Sequence, residues 1–161
     1  TTLFSIKEIQ KQEFKISGEN IKNGLLNVVK NTSILGRWQI LQKEPLIICD
    51  SAHNEDGIKE VVKQLSEIDY KKLHFILGTV NDKNIDNILG LLPKKATYYF
   101  CQANIPRSLD KEILQSKSEK YDLYGEVYNS VSKALQTAKN NAEKEDCIFF
   151  GGSTFVVAEI I

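Results

Sequence analysis

The sequence predicts an α/β fold built on a mostly parallel sheet. From Trp38 onward, short continuous apolar runs alternate with segments whose apolar residues recur at helical spacing. The runs lack the polar–apolar alternation of a strand with one face in water, so both faces of the sheet must be covered. Parallel strands also require long crossover connections, which the helical segments supply. These observations indicate a Rossmann-like three-layer domain with about six strands and helices on both faces.

The first 35 residues carry no strand pattern. "LFSIKEIQKQEF" predicts a short helix, and "SGENIKNGLLNVVKN" predicts a second helix capped by Ser17. The apolar face of the second helix consists of Ile21, Leu25, Val28 and Val29. Gly36 follows as a natural boundary. We therefore expect residues 1–35 to belong to a preceding domain and residues 36–161 to form the α/β domain.

From residue 38 the predicted elements follow in a regular order. "WQILQK" and "LIICD" are strands joined by a turn at Glu44-Pro45, where proline fixes the backbone and lacks an N–H donor. The other predicted strands are "LHFILG", "ATYYFCQ", a short extended piece at 124–128, and "DCIFFGG". The predicted helices cover residues 58–68, 84–92, 109–117, 131–138 and "STFVVAEII".

Composition argues against several classes of protein. Twenty-one basic and 21 acidic residues cancel, so no overall charge favours nucleic acid or an anionic membrane. No apolar run approaches the roughly 20 residues of a membrane helix. Three cysteines, widely spaced and inside apolar runs, predict buried thiols rather than disulfides. We expect a cytoplasmic protein, and the absence of methionine suggests a piece of something longer.

Polar residues follow the predicted strands at their carboxyl ends. In open α/β sheets, ligands bind outside that edge. The strand ends lead into residues 50–54, 78–83, 102–107 and 151–154. Asp50 ends a buried strand, where it could cap the next helix or accept the two hydroxyls of a ribose. His53 can hydrogen-bond a phosphate or carboxylate and can change charge near neutral pH.

Other candidate features have two interpretations each. Arg37 could be a surface residue stacked on Trp38, or a cation that reaches a phosphate. "GGST" could offer backbone N–H groups to an anion, or form a tight turn with a helix cap. The sequence has no GxGxxG and no GxxxxGK[ST] block, so it lacks the usual cradle for a dinucleotide or triphosphate. No His, Cys and carboxylate residues have metal-ligand spacing.

Five blocks occur in one order: "GRWQIL", "CDSAHN", "LGTVNDKN", "QANIPRSLDKE" and "GGSTFVVAE". Together they resemble the carboxy-terminal domain of folylpolyglutamate synthase, often a bifunctional dihydrofolate synthase, in the Mur ligase superfamily. The resemblance runs from Gly36 to the end. The helices before Gly36 resemble the last helices of the family's central ATPase domain. The resemblance implies a carboxy-terminal Mur-ligase-type domain at 36–161 and a remnant of the ATPase domain at 1–35.

The resemblance also implies a reaction and a set of site residues. The family adds L-glutamate to folate, using ATP to form an acyl phosphate. Arg37 would reach the ATP phosphates, Asp50 would hold the ribose, and His53 would sit beside the reacting centre as the catalytic residue and help hold phosphate. Asp82 and Lys83 would help position L-glutamate.

The implied partners are the N-terminal and central ATPase domains of the same protein, L-glutamate, and folate or dihydropteroate. ATP and Mg²⁺ would be held mainly by the central domain, with no metal ligand in this chain, so the chain alone is expected to be inactive. Two alternatives stay open: another Mur-type amino-acid ligase, and a non-enzymatic Rossmann-like nucleotide-binding module.

Overall fold

The computed structural model describes residues 1–81 and 85–161. The chain divides into two compact units, Thr1–Leu35 and Gly36–Ile161. The first unit contains three helices: α1 (Thr2–Gln10), α2 (Gly18–Leu26) and α3 (Val28–Thr32). No residue of this unit, all of which the structure describes, is buried.

The predicted cap of α2 is confirmed, but the single long helix after it is wrong. Ser17 Oγ accepts a hydrogen bond from Asn20 N at 3.0 Å, and Asn20 Oδ1 accepts one from Ser17 N at 2.9 Å. The helix is interrupted at Asn27, whose backbone leaves the helical region. The side chain of Asn27 donates to the carbonyl of Asn23 at 2.9 Å. Asparagine is common at helix ends because its side chain can hydrogen-bond a nearby backbone group and so compete with continuation of the helix.

The second unit contains one six-stranded sheet. Its strands are β1 (Gln39–Lys43), β2 (Leu46–Asp50), β3 (Leu73–Leu77), β4 (Thr97–Phe100), β5 (Gly125–Val127) and β6 (Cys147–Gly151). Its helices, in the described residues, are α4 (Glu55–Ser66), α5 (Ile85–Leu89), α6 (Lys111–Glu119), α7 (Val131–Asn141) and α8 (Thr154–Ala158). Within residues 1–81 and 85–161, no helix has the length and apolar character needed to cross a bilayer.

The sheet order is β1-β2-β6-β3-β4-β5. β1 pairs antiparallel with β2 across the Glu44-Pro45 turn, and the other neighbours pair in parallel. One face packs against α4, α5 and α6 through a core that includes Ile48, Phe75 and Phe149. The other face packs against α7 and α8 through Ile76 and Phe150, among others. The predicted three-layer α/β fold is confirmed.

The three cysteines are buried and unpaired, as expected. Burial raises the pKa of the Cys49 thiol to about 11 and the pKa values of the Cys101 and Cys147 thiols to about 12. They are therefore protonated at neutral pH and serve as small core residues.

A chain of side-chain hydrogen bonds connects Asp146, which precedes β6, with His74 of β3 and Tyr99 of β4. His74 Nε2 lies 3.3 Å from Asp146 Oδ2, and His74 Nδ1 lies 2.9 Å from Tyr99 Oη. Asn141 donates to Tyr99 Oη at 3.2 Å. Every donor meets an acceptor when the imidazole carries its proton on Nε2. His74 is thus a packed histidine rather than a ligand for the carboxyl edge.

Asp146 also accepts two backbone hydrogen bonds. Its oxygens accept from Lys72 N at 3.1 Å and from Glu143 N at 2.8 Å. Burial by itself would raise the pKa of Asp146. The hydrogen bonds from Glu143 N–H and His74, the charge of His74 and the bond from Lys72 N–H outweigh burial, so the pKa lies below its ordinary value of 3.8.

We expect Asp146→Asn to lower the free energy of unfolding at pH 7 by about 1.5–3 kcal/mol, because one amide oxygen cannot replace two carboxylate oxygens that accept from two backbone N–H groups and His74. A depressed folded pKa makes this contribution fully present above pH 3.8 and removes it as pH falls through the folded pKa. Urea unfolding at pH 7 and at lower pH measures both effects. Tyr99→Phe, which leaves the Asp146 carboxylate in place, is the control. Equal stability of Asp146→Asn and wild type at pH 7 contradicts the prediction.

Candidate functional site

The carboxyl ends of the parallel strands lie at one edge of the sheet and are tied together by backbone hydrogen bonds. Gly78 N donates to Gly151 O at 3.3 Å, and Leu109 N donates to Thr79 O at 2.9 Å. A side chain on Gly78 would come within 2.9 Å of the Cys101 carbonyl oxygen. Only glycine permits this approach between the strand ends. The loops that carry the predicted site residues therefore emerge from a tightly packed edge.

Asp50, at the end of β2, accepts two backbone hydrogen bonds. Its Oδ2 accepts from Trp38 N at 2.6 Å, and its Oδ1 accepts from Ala52 N at 2.7 Å. The interpretation of Asp50 as a helix cap is wrong, because Asn54 Oδ1 caps α4 by accepting from Gly57 N at 2.9 Å. Each carboxylate oxygen of Asp50 still has acceptor capacity for a further donor. The ribose role of Asp50 stays a prediction.

Arg37 lies in a turn with unusual backbone geometry. The residues on either side, Gly36 and Trp38, have φ values of 68° and 42°. For tryptophan this left-handed conformation costs about 1–3 kcal/mol, which the surroundings must offset. The indole packs on Phe149 with ring centroids 6.4 Å apart, and the Arg37 side chain is exposed.

His53 has one ring nitrogen committed to the backbone. Its Nδ1 lies 3.0 Å from the carbonyl oxygen of Ser51. A carbonyl only accepts, so Nδ1–H is the donor, and the lone pair of the neutral ring is on Nε2. The side chain is exposed. The neutral ring can thus accept a hydrogen bond from an amine or hydroxyl at Nε2, and the protonated ring can donate one to a phosphate.

Arg37, Asp50 and His53 line one pocket of about 300 Å³. The rest of its lining is formed by Ala52, Asn54, Gly57, Glu60, Val61 and Gln64. The structure therefore brings together the three residues predicted to contact ATP. In the described parts of the chain, no group of three or more His, Cys, Asp or Glu side chains is arranged to hold a metal ion.

Asp82 and Lys83, predicted to position glutamate, lie outside the described residues.

The "GGST" segment forms a tight turn and a helix cap, the structural one of its two interpretations. Gly152 has a φ of 88°, and Ser153 Oγ accepts from Phe155 N at 3.2 Å. This cap begins α8, a helix of five residues.

Arg107 was missed as a site candidate. It follows β4, and its guanidinium carbon lies 5.0 Å above the ring of Phe155. The backbone oxygen of Arg107 also accepts from Asn81 N at 2.9 Å, so the loops after β3 and β4 are joined beside it. The block "QANIPRSLDKE" contains this arginine, but nothing in the sequence indicates that Phe155 lies beneath it.

Comparison with known proteins gives a consistent result. Residues 36–154 match the family "Mur ligase, glutamate ligase domain". A probable bifunctional folylpolyglutamate synthase/dihydropteroate synthase of Haloferax volcanii is 37% identical over 145 residues, which are 89% of this chain and 17% of that protein. The dihydrofolate synthase/folylpolyglutamate synthase of Escherichia coli is 24% identical over 149 residues, which are 91% of this chain and 33% of that protein.

Solved structures agree in fold. The bifunctional folylpolyglutamate synthase/dihydrofolate synthase of Yersinia pestis, complexed with AMPPNP and Mn ion, aligns with a TM-score of 0.79 and 25% identity over 94% of this chain and 35% of that one. The E. coli FolC complex with DHPP and ADP gives a TM-score of 0.82 at 24% identity, over 96% of this chain and 36% of that one. The chain thus spans about a third or less of the length of these relatives.

We expect Asn54→Ala to lower the free energy of unfolding by about 1 kcal/mol, because the first turn of α4 loses its side-chain acceptor. Asn54→Asp, which keeps an acceptor oxygen at the same position, should stay near the wild-type value. Urea unfolding followed by circular dichroism measures the difference. If alanine and aspartate at position 54 have the same stability, Asn54 does not act as the cap.

Proposed function

Because the chain belongs to the Mur ligase, glutamate ligase domain family, we propose that it is the carboxy-terminal domain of an ATP-dependent folylpolyglutamate synthase. The complete enzyme joins L-glutamate to folate through an amide bond, and dihydropteroate is a second acceptor in the bifunctional form. The observation that carries the proposal is the convergence of Arg37, Asp50 and His53 in one pocket at the carboxyl edge of the sheet. We place the enzyme in the cytoplasm.

The reaction needs activation because a carboxylate is a poor electrophile. ATP transfers its terminal phosphoryl group to the folate carboxylate, and the amine of L-glutamate attacks the resulting acyl phosphate. The tetrahedral intermediate then expels phosphate as the amide forms. Negative charge develops on phosphate and carbonyl oxygens, so catalysis depends on positioned cations and donors.

The pocket supplies part of what ATP requires. Arg37 is an exposed cation that can take a phosphate in bidentate geometry. Asp50 faces the same pocket with acceptor capacity left for ribose hydroxyls. His53 lines the same pocket, and its Nε2, when protonated, can donate to a phosphate or acyl-phosphate oxygen. The three side chains together bind the ends of a nucleotide but do not surround it.

The rest of the ATP site belongs to another part of the proposed enzyme. The chain has no GxxxxGK[ST] block, and its described residues contain no cluster suited to Mg²⁺. When bound, Mg²⁺ neutralises phosphate charge, and its ligands come from the central ATPase domain. This chain contributes a cation, an acceptor and a histidine to a site completed by that domain.

The helices of the first unit support the same assignment. Ten large apolar side chains of this unit, in its helices and the segments beside them, are exposed, and none of its residues is buried, which suits a segment that packs against a further domain. These residues are Leu3, Phe4, Ile9, Phe14, Leu25, Leu26, Val28, Val29, Ile34 and Leu35. We assign residues 1–35 to the end of the central ATPase domain.

L-Glutamate brings two carboxylates and an amine to the acyl phosphate. Arg107 is a cation at the carboxyl edge, held over Phe155, and can pair with one of these carboxylates. Asp82 and Lys83 would complete recognition, the lysine with a carboxylate and the aspartate with the ammonium group. The neutral His53 ring, with its lone pair on Nε2, suits the acceptance of a proton from the attacking amine.

In the complete enzyme we expect Asp50→Ala to lower kcat/KM for MgATP about 10- to 150-fold, the equivalent of one hydrogen bond to a charged acceptor at about 1.5–3 kcal/mol. Incorporation of labelled L-glutamate into folate measures the rate. Asp110→Ala is the matched control, because Asp110 also accepts two backbone hydrogen bonds but lies at the cap of α6. Wild-type kinetics in Asp50→Ala, or an absence of glutamate incorporation by the wild-type enzyme, refutes the proposal.

Arg107→Ala should raise the KM for L-glutamate at least 10-fold and leave the KM for MgATP within about twofold, because a charged hydrogen bond is lost only on the amino-acid side. Arg107→Lys keeps the positive charge but loses the planar guanidinium that can donate two parallel hydrogen bonds, so its KM for L-glutamate should lie between those of the wild type and Arg107→Ala. Initial rates with each substrate varied in turn separate the two constants. An equal change in both KM values places Arg107 outside the glutamate site.

A further inference from the structure

The Gly36–Trp38 turn is held at three points. Ser51 N donates to Gly36 O at 2.9 Å, and Gly36 N donates to the side chain of Gln39 at 2.8 Å. At the other end of the turn, Trp38 N donates to Asp50 Oδ2 at 2.6 Å. The last bond is short and its acceptor is charged, the strongest type of backbone hydrogen bond. It acts on Trp38, whose φ of 42° is unfavourable for a bulky side chain.

Strain and hydrogen bond act against each other at Trp38. A tryptophan at a φ of 42° would relax to a negative φ if nothing held it. Its side chain is fixed by packing on Phe149, so relaxation would shift the backbone between Gly36 and Trp38, which carries Arg37. The Asp50 carboxylate opposes this shift at Trp38 itself, because it accepts the hydrogen bond from Trp38 N–H.

We propose that Asp50 is the positioning residue for Arg37, in addition to being the acceptor for ribose; the ribose and phosphate parts rest on the proposed function. One carboxylate then sets both ends of the nucleotide site in this domain. It accepts the sugar hydroxyls itself, and through Trp38 N–H it fixes the backbone from which Arg37 reaches the phosphates. Loss of Asp50 therefore damages phosphate binding although Asp50 touches no phosphate.

The first test needs no ligand. In the 161-residue chain, Asp50→Ala should shift the Arg37 Nε–H and backbone amide resonances, and change the emission of Trp38, the one tryptophan of the sequence. Asp110→Ala, which removes an equivalent carboxylate from the cap of α6, should leave these signals unchanged. If the Asp50→Ala shifts are confined to Ala52 and its neighbours, the positioning role is refuted.

Rescue separates positioning from general damage. Glycine adopts positive φ without strain, so in Asp50→Ala/Trp38→Gly the turn should keep its place, and the Arg37 resonances should return toward those of Trp38→Gly alone. Asparagine also tolerates this conformation and leaves the backbone less free than glycine does, so Asp50→Ala/Trp38→Asn, compared with Trp38→Asn alone, provides the second double variant if the added backbone freedom unfolds the glycine protein. Arg37 resonances that stay displaced in both double variants refute the positioning role of Asp50.

Two ligand titrations then separate this inference from the proposed function. Tripolyphosphate contains phosphate without ribose, and adenosine contains ribose without phosphate. In the wild-type chain tripolyphosphate should shift Arg37, and Asp50→Ala should weaken this effect at least fivefold, whereas a pure ribose role predicts no change. If tripolyphosphate leaves the wild-type Arg37 signals unmoved, the phosphate role of Arg37 fails in this chain, and the ligand-free spectra still decide the positioning role.

Discussion

The pairing of β6 between β2 and β3 is the constraint on which the rest of the domain depends. Residues 147–151 supply the strand pairing that joins the β1–β2 hairpin to the β3–β4–β5 group. Phe149 and Phe150 fill opposite faces of this central strand, so each helical layer packs on the last strand of the chain. The carboxyl edge also depends on it, because Gly151 lies opposite both Asp50 and Leu77. Strands far apart in sequence must meet before any site exists, which carries a large loop-closure cost.

Most elements of the fold were predictable because each is marked by a local pattern. The continuous apolar runs of β2, β3 and β6 indicate buried parallel strands, and amphipathic spacing indicates α4 and α7. Strand order was not predictable, since apolar runs such as "LIICD" and "CIFFG" can pair in several orders. The break at Asn27 was missed because apolar spacing continues through it, and only the hydrogen bond of its side chain shows that the helix ends.

The residues of the candidate site were predicted from the sequence, but the hydrogen bonds and backbone conformations that hold them were not. Asp50 and His53 were chosen at the carboxyl end of a predicted strand, Arg37 was added as a possible phosphate ligand by the family resemblance, and the structure places all three around one pocket. The division of labour between Asp50 and Asn54 escaped prediction because either can cap a helix, and only backbone geometry decides. The left-handed conformation of Trp38 has no sequence signal, since bulky residues avoid it. Arg107 was missed because its partner Phe155 belongs to a different element.

A carboxylate with two tasks suits a domain that supplies only part of an active site. On the proposed function, this domain meets ATP through a few side chains, which must approach the central domain as one rigid group. Asp50 ends β2 and lies opposite Gly151 of the central strand β6. Fixing Arg37 through that carboxylate transfers the rigidity of the sheet to an exposed cation on a turn. If the backbone at Arg37 were flexible, its conformational entropy would be lost each time a nucleotide bound, whereas a turn held in place loses it once, on folding.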